Sequence, residues 1–137
     1  MKLAESAGHP MLLRLRRGLE AFASRDLEAI AEYFAPDVLW HHGGRSALAG
    51  EYRGIDEMFL FFAKRAALSG DSYRLHAEQA IANDHFISLL GRWTAERDGR
   101  AIDAPIAIVY RLGEGQRVVE AWTNPGDPDA EAAFFAG

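Results

Sequence analysis

From Pro10 onward, Leu12, Leu15, Leu19 and Phe22 recur at helical spacing, with Arg14, Arg16, Arg17 and Glu20 mostly outside them. That pattern predicts an amphipathic helix running to a break at Ser24-Arg25. Asp26 can cap a second helix, DLEAIAEYF, whose apolar side is Leu27, Ile30 and Phe34. Pro36 is expected to end it, because the residue before a proline resists helical geometry. VLWHH is short, β-branched and aromatic and stops at Gly43-Gly44, which predicts a strand and a turn. LAGEYRG reads as a second short extended piece. IDEMFLFFAKRAALSG predicts a third helix, with a stripe of Ile55, Phe59, Phe62 and Ala66 and Gly70 as its stop. Met58, Leu60 and Phe61 widen the apolar surface, so this helix is expected to be covered on more than one side.

The second half changes period. Strands are predicted over about 72–83, 85–97, 101–112 and 116–124, with turns at Asn83-Asp84, Asp98-Gly99 and Gly113–Gly115. Pro105 cannot donate to a ladder, so an edge or a bulge is expected there. DAEAAFF reads as a short helix that docks back. Helices first and an antiparallel meander afterwards make an α+β domain. A curved sheet around helices would leave a concave pocket at its open end. Residues 1–9 are expected to be a flexible tail, and 10–137 a single domain.

A length of 137 residues suits one core. With 49% apolar and 26% charged residues, the balance is that of an ordinary globular protein. The net charge of −5 argues against nucleic acid or an anionic membrane as a partner. The chain has no cysteine, which excludes disulfides, thiolate metal sites and cysteine nucleophiles. No stretch approaches a membrane span, and MKLAESAGHP has no signal-peptide core, so a cytoplasmic location is expected. No phosphate loop or nucleophile elbow appears, so no cofactor is implied.

DLEAIAEYFAPDVLWHHGG, the G-x-Y-x-G step within LAGEYRGIDEM, and the closing pair RDGR and YRLGEGQRVVEAW resemble the nuclear transport factor 2-like superfamily. Its members include SnoaL-like cyclases, steroid delta-isomerases, scytalone dehydratase and limonene epoxide hydrolase. The resemblance covers about Leu12 to Asn124. It implies a conical, barrel-like fold, three helices packed on a strongly curved, mostly antiparallel sheet. It also implies a hydrophobic small-molecule ligand and a homodimer through the sheet's outer face. Apolar residues on both parities from Ile102 to Leu112 suit that dimer face.

The resemblance can be carried over residue by residue. The isomerases' catalytic Asp falls on His42. Their two oxyanion donors fall on Gly18 and near Ile108, which offer none. Against the epoxide hydrolase pattern, Arg92 is kept, but Thr94, and Trp122 or Asn124, stand where acids are needed.

Adjacent strand residues point to opposite faces, so His41 and His42 cannot easily share one metal, and no metal site is expected. The resemblance puts Trp40 and His42 inward and His41 outward or at a dimer contact. Imidazole titrates near pH ~6.5, which suits His42 to general-base work. The alternative is a strand-end pair bonded to backbone. Tyr52 is the expected polar partner in catalysis. Trp40, Phe59, Phe62 and Trp122 are the expected pocket walls, with His41 and Asn124 among the binding residues. The expected function is a cofactor-independent isomerase, cyclase or dehydratase. A non-catalytic binding or dimerising module of the same fold is the competing reading.

Overall fold

The computed structural model describes residues 2–3 and 9–136. Helix α1 spans Pro10–Ala23; His9 Nδ1 accepts from the Met11 N–H at its start, and Pro10 costs no bond there. It buries Met11, Leu12 and Leu15. Helix α2 is only Leu27–Ala31, with the Asp26 carboxylate accepting from the Ala29 N–H at 3.1 Å. The helix therefore stops short of the expected Phe34. The Tyr33 carbonyl accepts from the Val118 N–H, and Phe34 already starts a strand. Pro36 lies inside that strand, in a stretch where the ladder is interrupted and no proline N–H is needed.

Among the described residues the strands are β1 (Lys2–Leu3), β2 (Phe34–His42), β3 (Gly50–Arg53), β4 (Arg74–Ala82), β5 (Phe86–Arg97), β6 (Arg100–Leu112) and β7 (Val118–Pro125). They form one sheet in the order β1-β4-β5-β6-β7-β2-β3. All neighbours are antiparallel except β1 with β4 and β2 with β7. Register shifts between Ala77 and Gln79, Phe34 and Leu39, and Arg111 and Leu112 help the sheet to bend. Helices α3 (Gly54–Leu68) and α4 (Pro128–Phe135) complete the α+β cone expected from the sequence.

The expected tail over residues 1–9 falls mostly outside the described residues. Of the remainder, Lys2–Leu3 pair with Gln79–Ala80 and His9 caps α1. In α3 the deepest stripe is Met58, Phe61 and Arg65, with Ser69 just beyond, rather than the expected Ile55, Phe59, Phe62 and Ala66, which are partly buried. The helix is rotated by about one residue, so Met58 and Phe61 meet the sheet while Leu60 stays 67% exposed. Pro105 lies in an inner strand. It is tolerated because its nitrogen and carbonyl face the end of β7, where the carbonyl accepts from the Gly126 N–H at 2.8 Å.

The inner face of the sheet carries Val38, Trp40 and His42 from β2, Ile106, Ile108 and Tyr110 from β6, and Ala121 and Thr123 from β7, all buried. Alternation over Val38–His42, Ala104–Leu112 and Ala121–Pro125 sends their neighbours to the outer face.

Candidate functional site

Between the helices and the inner face lies a cavity of about 80 Å³, counted as space open to the centre of a water molecule. Leu15, Leu19 and Phe22 of α1 wall one side, and Trp40, Ile108 and Tyr110 of the sheet wall the other. Phe62 and Arg65 of α3 close it. The wall is largely apolar. Its polar side chains include Arg65, Tyr73, Tyr110 and Thr123, with Arg14 and Gln116 also at the lining. Gly18 and Ile108, where the isomerase donors would fall, both line this cavity.

A groove of about 410 Å³ lies between α1, α2 and α3. It shares Leu19, Phe22, Ile30, Phe62, Arg65, Tyr73 and Leu75 with the cavity. The two spaces therefore adjoin along those side chains.

His42 is 5% exposed and points inward, as period-two geometry from Trp40 requires. It does not line the cavity, contrary to the expectation that it opens onto the pocket. Its Nδ1 is hydrogen-bonded to Thr123 Oγ1, which stands beside it in the β2–β7 register and does line the cavity. Its Nε2 meets both carboxylate oxygens of Glu131, at 3.2 and 3.3 Å. Glu131 is 2% exposed, and its carboxylate needs a donor. We assign the proton to Nε2, which leaves Nδ1 to accept from the Thr123 hydroxyl. The single hydroxyl proton has an alternative acceptor in the His41 carbonyl at 3.3 Å, the longer of the two contacts. The result is a line, Glu131–His42–Thr123, with its open end at the cavity wall.

The glycines after the histidines serve this line. Gly44 has φ +77°, a conformation that favours glycine, and a Cβ added there would lie against Glu131, Pro125 and Pro128. The turn lets α4 bring Glu131 back against β2.

Other expected site residues are dispersed. Trp40 and Phe62 line the cavity. Phe59 lines the groove. Tyr52 donates to the Leu48 carbonyl at 2.6 Å and packs on Phe61, away from the cavity lining; burial pushes its phenol pKa up. His41 and Trp122 sit on the outer face, stacked at 5.5 Å. His41 Nε2 meets Glu120 at 2.7 Å and Nδ1 meets Glu51 at 3.3 Å. The His41 hydrogen bond, with one from Arg111, holds the Glu120 carboxyl below its usual range. Asn124 lies along an outer groove with Leu90 and Pro105. The outward position of these three follows from the same alternation that turns His42 inward.

The sequence reading missed Glu131 and Arg65. Both carried a signal in their spacing. Glu131, Phe134 and Phe135 lie at i, i+3 and i+4, and Met58, Phe61 and Arg65 at i, i+3 and i+7, so each charge falls on an apolar stripe. Among the described residues no cluster of three or more His, Asp or Glu could hold a metal. Among the same residues no helix is long and apolar enough to cross a membrane.

The SnoaL-like domain family matches residues 15–121. The uncharacterized protein Rv0034 of Mycobacterium tuberculosis is 32% identical over 123 residues, covering 89% of this chain and 93% of its own. Among solved structures, Bal32a from a soil-derived mobile gene cassette is 28% identical, with a TM-score of 0.83 over 89% of this chain and 93% of that one. An NTF2-like protein of unknown function from Burkholderia pseudomallei is 25% identical, with a TM-score of 0.80 over 92% and 97%.

Proposed function

This chain belongs to the SnoaL-like domain family, and from that premise we propose that it binds a flat, largely apolar small molecule in the conical cavity and moves a proton on it. The observation that carries the reading is Thr123, a hydroxyl on the cavity wall backed by a buried His42 and Glu131. In the proposed step a ligand C–H proton passes to Thr123 Oγ1 as the hydroxyl proton passes to His42 Nδ1. Glu131 stabilises the imidazolium so formed. Return of the proton to another atom of the ligand completes an isomerisation, cyclisation or dehydration with no change of oxidation state and no cofactor. His42 thus remains the base, acting through a hydroxyl rather than by direct contact.

A generic proton-abstraction probe tests this without knowledge of the substrate. We expect the protein to open 5-nitrobenzisoxazole faster than buffer, with His42→Ala and Thr123→Val each losing tenfold or more. Equal rates for wild type and both variants would remove the proton relay. The second reading, a non-catalytic binder, is favoured by one observation: the His42 side chain is only 3% exposed. It predicts that ligand binding survives in variants that never had turnover to lose. The homodimer through the outer face and a cytoplasmic site of action belong to the same proposal. The apolar Ile81 and Leu90, 51% and 53% exposed, and the His41–Trp122 stack support the outer-face contact.

A further inference from the structure

Arg65 is 6% exposed, yet its guanidinium has no ion-pair or side-chain hydrogen-bond partner among the described residues. Its charge is held by aromatic faces alone, with Tyr73 at 3.8 Å and Phe61, Phe62 and Phe22 at 5.1, 5.3 and 5.4 Å. Its place in the last turn of α3 adds a modest favourable dipole. Neither supplies an acceptor, and no Arg65 nitrogen is among the fully buried unpartnered atoms, so the unpaired N–H groups have access to the cavity and groove that the residue lines. A buried charge is retained at a cost unless something pairs with it. It lines both the inner cavity and the groove, so it stands at the passage between them.

We propose that Arg65 is an anion-binding residue, and that the molecule this protein takes is a flat apolar ligand carrying a carboxylate or another oxyanion. The inference deepens the functional reading above and rests on it only for the location of the ligand. Size supports it. A dry cavity of roughly 150 Å³ accommodates one benzene, and the inner cavity here is about 80 Å³. An occupant of ordinary size would need the adjoining groove as well, and Arg65 lines both spaces, so a polar group placed at their boundary would meet the guanidinium. Chemistry supports it too. The positions of the isomerase donors, Gly18 and Ile108, line the cavity without a donor, whereas Arg65 and the Tyr110 phenol bring donors to the same cavity from α3 and β6. Arg65 therefore stands where a negative charge on the ligand, permanent or formed during proton transfer, would be met.

The test uses a matched pair, 2-naphthoate and its neutral isostere 2-naphthamide, titrated into the full chain by calorimetry at pH 7. A charge-assisted pair in a water-poor site predicts tighter binding of the naphthoate by about 10- to 100-fold. Arg65→Met, which keeps an apolar stem of similar reach, should abolish that preference and leave naphthamide affinity within about twofold. Its melting temperature should hold or rise, since an uncompensated buried charge is gone; a purely structural arginine would lower it and leave the preference intact. Should Arg65→Met fail to fold, the wild-type ratio and a reduced preference in Arg65→Lys still decide the matter. Equal affinity of the two ligands for wild type, no binding of either at millimolar concentration, or an unchanged preference in the variant would each overturn the proposal. Thr123→Val is expected to keep the preference, so a failed proton relay and a failed anion site give different results.

Discussion

The Glu131–His42 contact is the joint on which the relay depends, and a double-mutant cycle measures it. Both side chains are 3% exposed, and Glu131 meets Nε2 at 3.2 Å. In Glu131→Ala the Nε2–H is left buried without an acceptor, a loss of about 1–3 kcal/mol for a bond to a charged group. The vacated side-chain volume adds to that cost. Glu131→Gln keeps shape and an acceptor oxygen but not the charge, so it should cost about 0.5–1.5 kcal/mol. In a chain of this length 1 kcal/mol corresponds to about 3–4 °C in Tm. We therefore expect Tm to fall by roughly 5–10 °C for Glu131→Ala and by roughly 2–5 °C for Glu131→Gln. Paired with His42→Phe in the cycle, the coupling should reach about 1–3 kcal/mol. Circular dichroism melts at pH 7 of wild type, both single variants and the double variant supply the four values. Additivity within about 0.5 kcal/mol would show that the two side chains do not interact in solution. The relay would then lose its carboxylate.

Three further outcomes follow from the same coordinates. Burial, then the nearby Tyr73, pushes the Tyr110 phenol pKa up, while Arg65 opposes the shift. A raised folded-state value means this contribution is complete below the unfolded pKa of about 10 and declines as pH rises beyond it, by up to about 1.4 kcal/mol per pH unit. Tyr110→Phe should therefore flatten the alkaline loss of stability in denaturant titrations between pH 9 and 11, and an unchanged slope would contradict the burial of that phenol. Gly91→Ala would drive its Cβ into the His76 carbonyl oxygen, at the β4–β5 register shift. The atoms it would meet are all β4 backbone and leave no flexible group to move, so a loss of about 2–4 kcal/mol is expected in urea unfolding, and a wild-type midpoint would refute that close approach. Light scattering at micromolar concentration should report a dimer, and Leu90→Glu on the exposed outer face should shift it toward monomer; a wild-type monomer would remove the outer-face contact.

The sequence by itself determined what local periodicity controls. Leu12, Leu15 and Leu19 repeat at helical spacing, and α1 forms where they do. VLWHH alternates, and Trp40 and His42 turn inward while His41 turns out, because successive strand side chains oppose one another whatever the sheet packs against. Local signals were weaker where two segments compete for the same residues. Tyr33 and Phe34 continue the helical pattern of α2, but pairing with Val118 takes them into the sheet. The stripe on α3 was legible as apolar, but its rotation depends on tertiary partners: Phe61 and Phe62 both meet Trp40, and it is Phe61 that also meets His42, at 5.2 Å. The site itself is tertiary. Thr123 and Glu131 lie 81 and 89 residues from His42, and only the β2–β7 register and the return of α4 bring them to it. Arg65 sits in a run, AKRAAL, that reads as an ordinary solvated helix end. Four aromatic rings from α1, α3 and the start of the β4 segment make it a buried charge at the passage between cavity and groove. Spacing placed these charges on apolar stripes, but whether a charge is solvated or enclosed depends on neighbours distant in sequence, and those are chosen only when the chain packs.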